Sequence, residues 1–152
     1  MNTEQGSNGG GTIVPVIPMS VLDVELPLYL SVLAGFPSPA DDYLEERLSL
    51  DKYLIKHPDS TFFVKVEGLS MVGAGIYPDD ILIVDRSLEA KPGDVIVAVL
   101  DGEFTVKRLV KKSGRYALQP ENPDYKLIPL DENAVFTVWG VVTNVIHKPY
   151  EL

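Results

Sequence analysis

The stretch "VEGLSMVGAGI", residues 66–76, places a single hydroxyl, Ser70, in an apolar turn rich in glycine. A serine at such a junction commonly caps backbone N–H groups. It becomes a nucleophile only where a neighbouring base can take its proton. The G-x-S-x-G nucleophile elbow is excluded, because Val72 stands where that pattern requires glycine. The two histidines, His57 beside Pro58 and His147 near the C-terminus, read as solvated or capping residues and not as members of a Ser-His-Asp triad. Lysine can replace histidine if it is desolvated. In water its pKa of about 10.4 keeps it protonated, whereas burial lowers that value by up to about 3–5 units. The base must therefore sit among apolar residues on a rigid element. Lys107 in "FTVKRLV" does so, flanked by Val106 and Leu109. A surface lysine on an alternating strand fits the same spacing. Lys65 in "FVKVE" and Lys126 in "YKLIP" are rivals that spacing leaves open.

The elements that must position these groups are mainly β from Thr61 onward. "TFFVKVE", "DILIVD", "DVIVAVL", "EFTVKRLV", "YALQP", "KLIPL" and "AVFTVWGVVTNVIHK" are rich in β-branched and aromatic residues and are separated by turn clusters such as "YPDD", "KPGD", "KSG" and "ENPD". Short strands at this spacing predict a compact antiparallel β-sandwich or barrel-like fold. Asp101-Gly102 between two apolar runs is the strongest hairpin signal.

The first sixty residues differ in character. Residues 1–11, "MNTEQGSNGGG", have the composition of a flexible tail. Residues 12–36 are apolar but broken by Pro15, Pro18 and Pro27, and read as an extended arm able to lie in a groove or join a sheet edge. "SPADDYLEERLSL" predicts a helix, with Ser38 as N-cap, Pro39 at the first position, Asp41 completing a capping box and Ala40, Leu44 and Leu48 on one face. A second short helical turn is expected over "LDKYLIKHP", with Leu50, Tyr53 and Leu54 together and Pro58 as its stop.

Composition sets the outer limits. A chain of 152 residues with 45% apolar content suits one cored domain plus an arm. Thirteen basic against 22 acidic side chains give a net charge of -9, which opposes broad binding to a phosphate backbone. No cysteine is present, so disulfides and thiolate chemistry are excluded, in keeping with a reducing cytoplasm. The first 34 residues contain no Lys or Arg, which argues against a signal peptide, and the prolines beside Asp23 and Glu25 argue against a membrane span.

"GLSMVGAGIYPDDILIVDRS" followed by "GDVIVAVLDGEFTVKRL" and a late "GVV" strand resembles the LexA-type self-cleaving serine peptidases (peptidase S24), and within them the UmuD-like mutagenesis subunits, over roughly residues 34–147. The resemblance implies Ser70 as nucleophile, Lys107 as its general base and no cofactor or metal. It also implies a cut at Ala34-Gly35 in "SVLAGFPSP", dividing residues 1–34, a removable arm, from residues 35–152, a peptidase and dimerisation domain. UmuD-like chains carry Cys before that Gly, whereas LexA-type repressors commonly carry Ala, as here. Family partners would be a second copy, the RecA-single-stranded DNA filament and a UmuC-like Y-family DNA polymerase. The 34 residues before the cut are too few for a helix-turn-helix reader, so a mutagenesis subunit is expected in preference to a repressor. A non-catalytic acidic β-domain that binds a protein partner, a LexA-type repressor fragment and a peptidase acting on other chains are the alternatives.

Overall fold

The computed structural model describes residues 24–29 and 44–149. The chain divides into two units, Met1–Ser49 and Leu50–Leu152. In the first, β1 (Glu25–Tyr29) pairs antiparallel with β2 (Leu44–Ser49), setting Leu26 opposite Leu48 and Leu28 opposite Glu46, with a bulge between Leu28 and Tyr29. Arg47 Nη2 donates to the Glu25 carbonyl at 2.8 Å. The extended reading of the arm thus holds for residues 25–29. The helix expected from Ser38 through Leu48 does not hold where it can be checked, since residues 44–49 form a strand. Its proposed cap, residues 38–43, lies outside the described residues. The physical reason is that helix propensities differ by only a few tenths of a kcal/mol per residue. An extended, proline-bearing partner offers the same backbone a ladder of hydrogen bonds. Pro27 can sit in β1 because a two-stranded ladder leaves one side of each strand unpaired.

The second unit opens with a single helical turn, α1 (Leu50–Leu54). Of its expected apolar trio, Leu50 and Tyr53 are exposed. The helix ends at Leu54, and Pro58 opens a 3-10 turn, Pro58–Ser60. The run from Thr61 then folds, as expected, into antiparallel β structure: β3 (Thr61–Lys65), β4 (Ile81–Asp85), β5 (Val95–Leu100), β6 (Glu103–Lys112), β7 (Arg115–Gln119), β8 (Ile128–Pro129) and β9 (Phe136–Ile146). They form one sheet in the order β3-β4-β9-β5-β6-β7-β8. Asp101 and Gly102, with φ of 49° and 83°, make the tight β5–β6 turn in which both central residues need positive φ. That turn fixes the register Ile96 opposite Lys107.

Two apolar clusters hold the sheet. Val66, Met71, Ile76, Leu82, Val84 and Val97 form one, and Ile96, Ala98, Leu109, Leu118 and Val141 the other. β9 joins them by pairing with β4 on one side and β5 on the other. β9 packs tightly on β4 at Gly140, where a Cβ would meet Val84 Cγ1 at 2.5 Å. Each end of β4 is tied by a buried carboxylate. Asp80 accepts from Tyr77 N at 2.9 Å and contacts His147 Nδ1 at 2.6 Å. Asp85 accepts from the Ser87 hydroxyl and amide and the Ser60 hydroxyl, and contacts His57 Nδ1. Burial by itself would push the Asp85 carboxyl up, but these hydrogen bonds outweigh it and hold the group at about 2, below its ordinary 3.8.

Two outcomes follow from this packing. Gly140→Ala should lose roughly 1–3 kcal/mol, the usual cost of overpacking a tight core, measured by urea unfolding. Because the Asp85 pKa is depressed, its stabilisation is complete above the unfolded value and lost as pH falls toward the folded one. Wild type should therefore lose stability between about pH 4 and pH 2 more steeply than Asp85→Asn. Parallel acid-unfolding curves would contradict the assignment.

Candidate active site

Ser70 lies in the turn that leaves β3, between exposed Leu69 and buried Met71. The chain continues into a single 3-10 turn, Val72–Ala74, closed by Gly75 in the left-handed region. Met71 and Ile76, each 2% exposed, anchor the segment in the first apolar cluster. Ser70, just before the first of these anchors, is half-buried and faces a groove of about 450 Å³ lined by Val64, Val66, Val97, Phe104, Val106 and Trp139 as well as Ser70 and Lys107. A larger groove of about 620 Å³, along Leu88, Leu109, Tyr116 and Phe136, holds neither of those two residues. Of these two grooves, the smaller one brings a hydroxyl and a buried amine together.

Lys107 Nζ lies 3.0 Å from Ser70 Oγ, 2.7 Å from Thr105 Oγ1 and 3.0 Å from the Val106 carbonyl oxygen. The lysine is 8% exposed. Burial lowers its pKa below the ordinary lysine value. No carboxylate is hydrogen-bonded to the amine, so none of its bonded partners offsets the desolvation with an opposite charge. A neutral amine has two N–H donors and one lone pair. The Val106 carbonyl can only accept, and Thr105 Oγ1 can accept the second N–H. The lone pair then faces Ser70 Oγ, the geometry needed to withdraw its proton.

The rival lysines lie elsewhere. Lys65 borders the same groove, but its amine is largely exposed and sits 3.5 Å from Asp79 Oδ1. Lys126 is exposed. His57 and His147 engage the buried carboxylates of Asp85 and Asp80 at the ends of β4, where the sequence suggested solvated or capping residues. Ala34 and Gly35 fall outside the described residues. Sequence reasoning passed over Thr105, although its position two residues before Lys107 puts it on the same side of a strand. It also took "ENPD" as a turn and nothing more. In the fold, Glu121 N–H donates to the Ser70 carbonyl at 2.8 Å, and Asn122 Nδ2 donates to the Leu69 carbonyl at 2.9 Å. Among the described residues, no group of three or more His, Cys, Asp or Glu is placed to hold a metal ion, and no helix is long and apolar enough to cross a membrane.

A lysine whose charged form is disfavoured by burial has a testable thermodynamic signature. Its folded pKa lies below the unfolded one, so between the two values the unfolded chain binds more protons and stability rises with pH. Lys107→Met, of similar length and without charge, should raise stability by about 1 kcal/mol at pH 7. The gain should shrink as pH rises toward the unfolded lysine value. A variant that is less stable than wild type at every pH would show that the amine's hydrogen bonds outweigh its desolvation.

Residues 27–143 match the family described as Peptidase S24-like. The chain is 46% identical over 121 residues to Protein ImpA of Salmonella typhimurium, covering 78% of this chain and 81% of that one. It is 49% identical over 115 residues to Protein SamA of the same species, covering 76% and 79%. Similarity to the LexA repressor of Dechloromonas aromatica is 42% over 122 residues, 80% of this chain and 60% of the repressor.

Proposed function

Since the chain belongs to the S24 family of serine peptidases, we propose that it is a UmuD-like mutagenesis subunit that cuts itself between Ala34 and Gly35, with Ser70 as nucleophile and Lys107 as general base. The observation that carries this reading is the 3.0 Å approach of a buried amine to Ser70 Oγ. Neutral Lys107 takes the Ser70 proton as Oγ attacks the Ala34 carbonyl carbon. The developing oxyanion is met by backbone N–H groups of the Ser70 turn. Protonated Lys107 then passes its proton to the Gly35 nitrogen, and the C–N bond breaks to leave an Ala34 ester on Ser70. Water, deprotonated by the same amine, hydrolyses the ester and frees Ser70.

The apolar groove favours this substrate. "LSVLAG" brings Leu30, Val32 and Leu33 to the cut, and Val64, Val97, Phe104 and Trp139 offer aliphatic and aromatic walls for them. Ala34 and Gly35 are small enough for the backbone to approach Ser70 closely. The cut would sever β1, in residues 1–34, from β2, in residues 35–152. Two strands alone pair only marginally in water, so the arm should leave. The trimmed chain, as a homodimer, would then join a UmuC-like Y-family DNA polymerase in error-prone synthesis after DNA damage. The RecA-single-stranded DNA filament would promote the cut by pressing the arm into the groove, which raises effective concentration without supplying a catalytic group.

The test is incubation of purified chain over a range of pH. Cleavage should release residues 1–34 and expose a new N-terminus reading Gly35-Phe36-Pro37. The rate should climb with pH through the depressed Lys107 pKa and then level off. Ser70→Ala and Lys107→Ala should each lower it by roughly a thousandfold or more. Cleavage that persists in Ser70→Ala, or a rate that falls steadily above neutral pH, would overturn the dyad. A filament of RecA on single-stranded DNA should accelerate the neutral-pH reaction of wild type and leave both variants inert.

A further inference from the structure

Two successive residues of β6 reach the Ser70 turn by separate routes. Lys107 touches the serine hydroxyl directly. Arg108 acts through Glu121: its Nε donates to Glu121 Oε1 and its Nη1 donates to the Gly93 carbonyl at 2.7 Å. Glu121 in turn holds the turn by its backbone. Its N–H donates to the Ser70 carbonyl at 2.8 Å, and its carbonyl accepts from Gly73 N–H at 2.7 Å. Asn122 adds a third contact, donating from Nδ2 to the Leu69 carbonyl at 2.9 Å while its Oδ1 accepts from Asp124 N–H at 3.0 Å. The fit leaves no slack, because a Cβ on Gly73 would lie 2.5 Å from the Glu121 carbonyl oxygen.

These contacts differ in kind from core packing. Leu69, Ser70 and Gly73 are half-buried or exposed, so apolar burial cannot fix their backbone, and water would compete for every carbonyl left unpaired. Three hydrogen bonds from one short segment, residues 121–122, take the place of burial, and the Arg108 ion pair fastens that segment to the strand that carries Lys107. We propose that Asn122 and the Arg108–Glu121 pair are positioning residues, clamping residues 69–73 so that the Ser70 hydroxyl stays within reach of the Lys107 lone pair. The clamp rests on the reading of Ser70 and Lys107 as the catalytic dyad. Neither Asn122 nor the pair touches the reacting atoms. Their effect is on the distance and direction of Oγ, and misplacement by about 1 Å can slow a reaction a hundredfold.

Two charge-balanced changes to the full chain test this: Asn122→Ala, and the double change Arg108→Met with Glu121→Met. Self-cleavage is followed across the pH range well below each variant's melting temperature, alongside labelling of Ser70 by a small fluorophosphonate that needs no arm. The clamp requires the plateau rate and the labelling rate to fall together by about tenfold or more in each folded variant, while the midpoint of the pH–rate curve stays at the wild-type value. A purely structural role would lower the melting temperature and leave the folded molecules reacting at the wild-type rate. Plateau and labelling rates within about twofold of wild type would overturn the proposal, and so would an altered midpoint with an unchanged plateau. Should Asn122→Ala fail to fold, the double variant decides by the same criteria. Wild type that neither cleaves nor labels would overturn the dyad reading and the clamp with it, an outcome recognised without any variant.

Discussion

The structure turns on one lysine amine held out of water beside a serine hydroxyl. Charged and solvated, Lys107 would be a surface residue of β6. Buried against Ser70, Thr105 and the Val106 carbonyl, it is pushed toward the neutral form that alone can accept a proton. Such a group works against folding, because its desolvation is not offset by an opposite charge. The surrounding sheet must supply the difference. It does so with two apolar clusters on either part of a seven-stranded array, and with hydrogen bonds from Lys107 to Thr105 Oγ1 and the Val106 carbonyl.

Holding the Ser70 hydroxyl in place is a separate task. Ser70 stands on a turn, and turns at a surface are the least constrained parts of a fold. Here the turn is bracketed by Met71 and Ile76 in the core and by the segment at residues 121–122 outside it. Lys107, by contrast, sits in the middle of a ten-residue strand paired on both sides. The ends of β4 receive similar treatment from Asp80 and Asp85, whose histidine partners sit in the frame of the sheet.

Membership of the S24 family and identities of 42–49% with ImpA, SamA and a LexA repressor agree with this economy of parts. One groove, one hydroxyl and one amine suffice for a peptidase with a single substrate segment on its own chain. Tethering makes up for modest binding, since an attached arm is presented at high effective concentration. The apolar lining around Phe104 and Trp139 suits an aliphatic segment better than it would a charged peptide.

Much of this was legible in the residues themselves. Alternating β-branched runs and the Asp101-Gly102 turn determined the strands and the β5–β6 register, because period-two patterning and positive-φ turns are local properties. Ser70 stood out because its neighbours are apolar, and Lys107 because it follows that hairpin. Other features depended on contacts distant in sequence. Residues 44–49 carry a helical pattern yet form a strand, since β1 offers a backbone ladder that no window around Leu44 reveals. The choice of Lys107 over Lys65 and Lys126 required burial, which depends on how β5, β6 and the Ser70 turn pack together. Asn122 and Glu121 looked like turn residues because their partners, Leu69 and Ser70, lie some fifty positions earlier. Patterning is written in neighbours, whereas the depth of an amine and the partner of a carbonyl are decided only when remote segments meet.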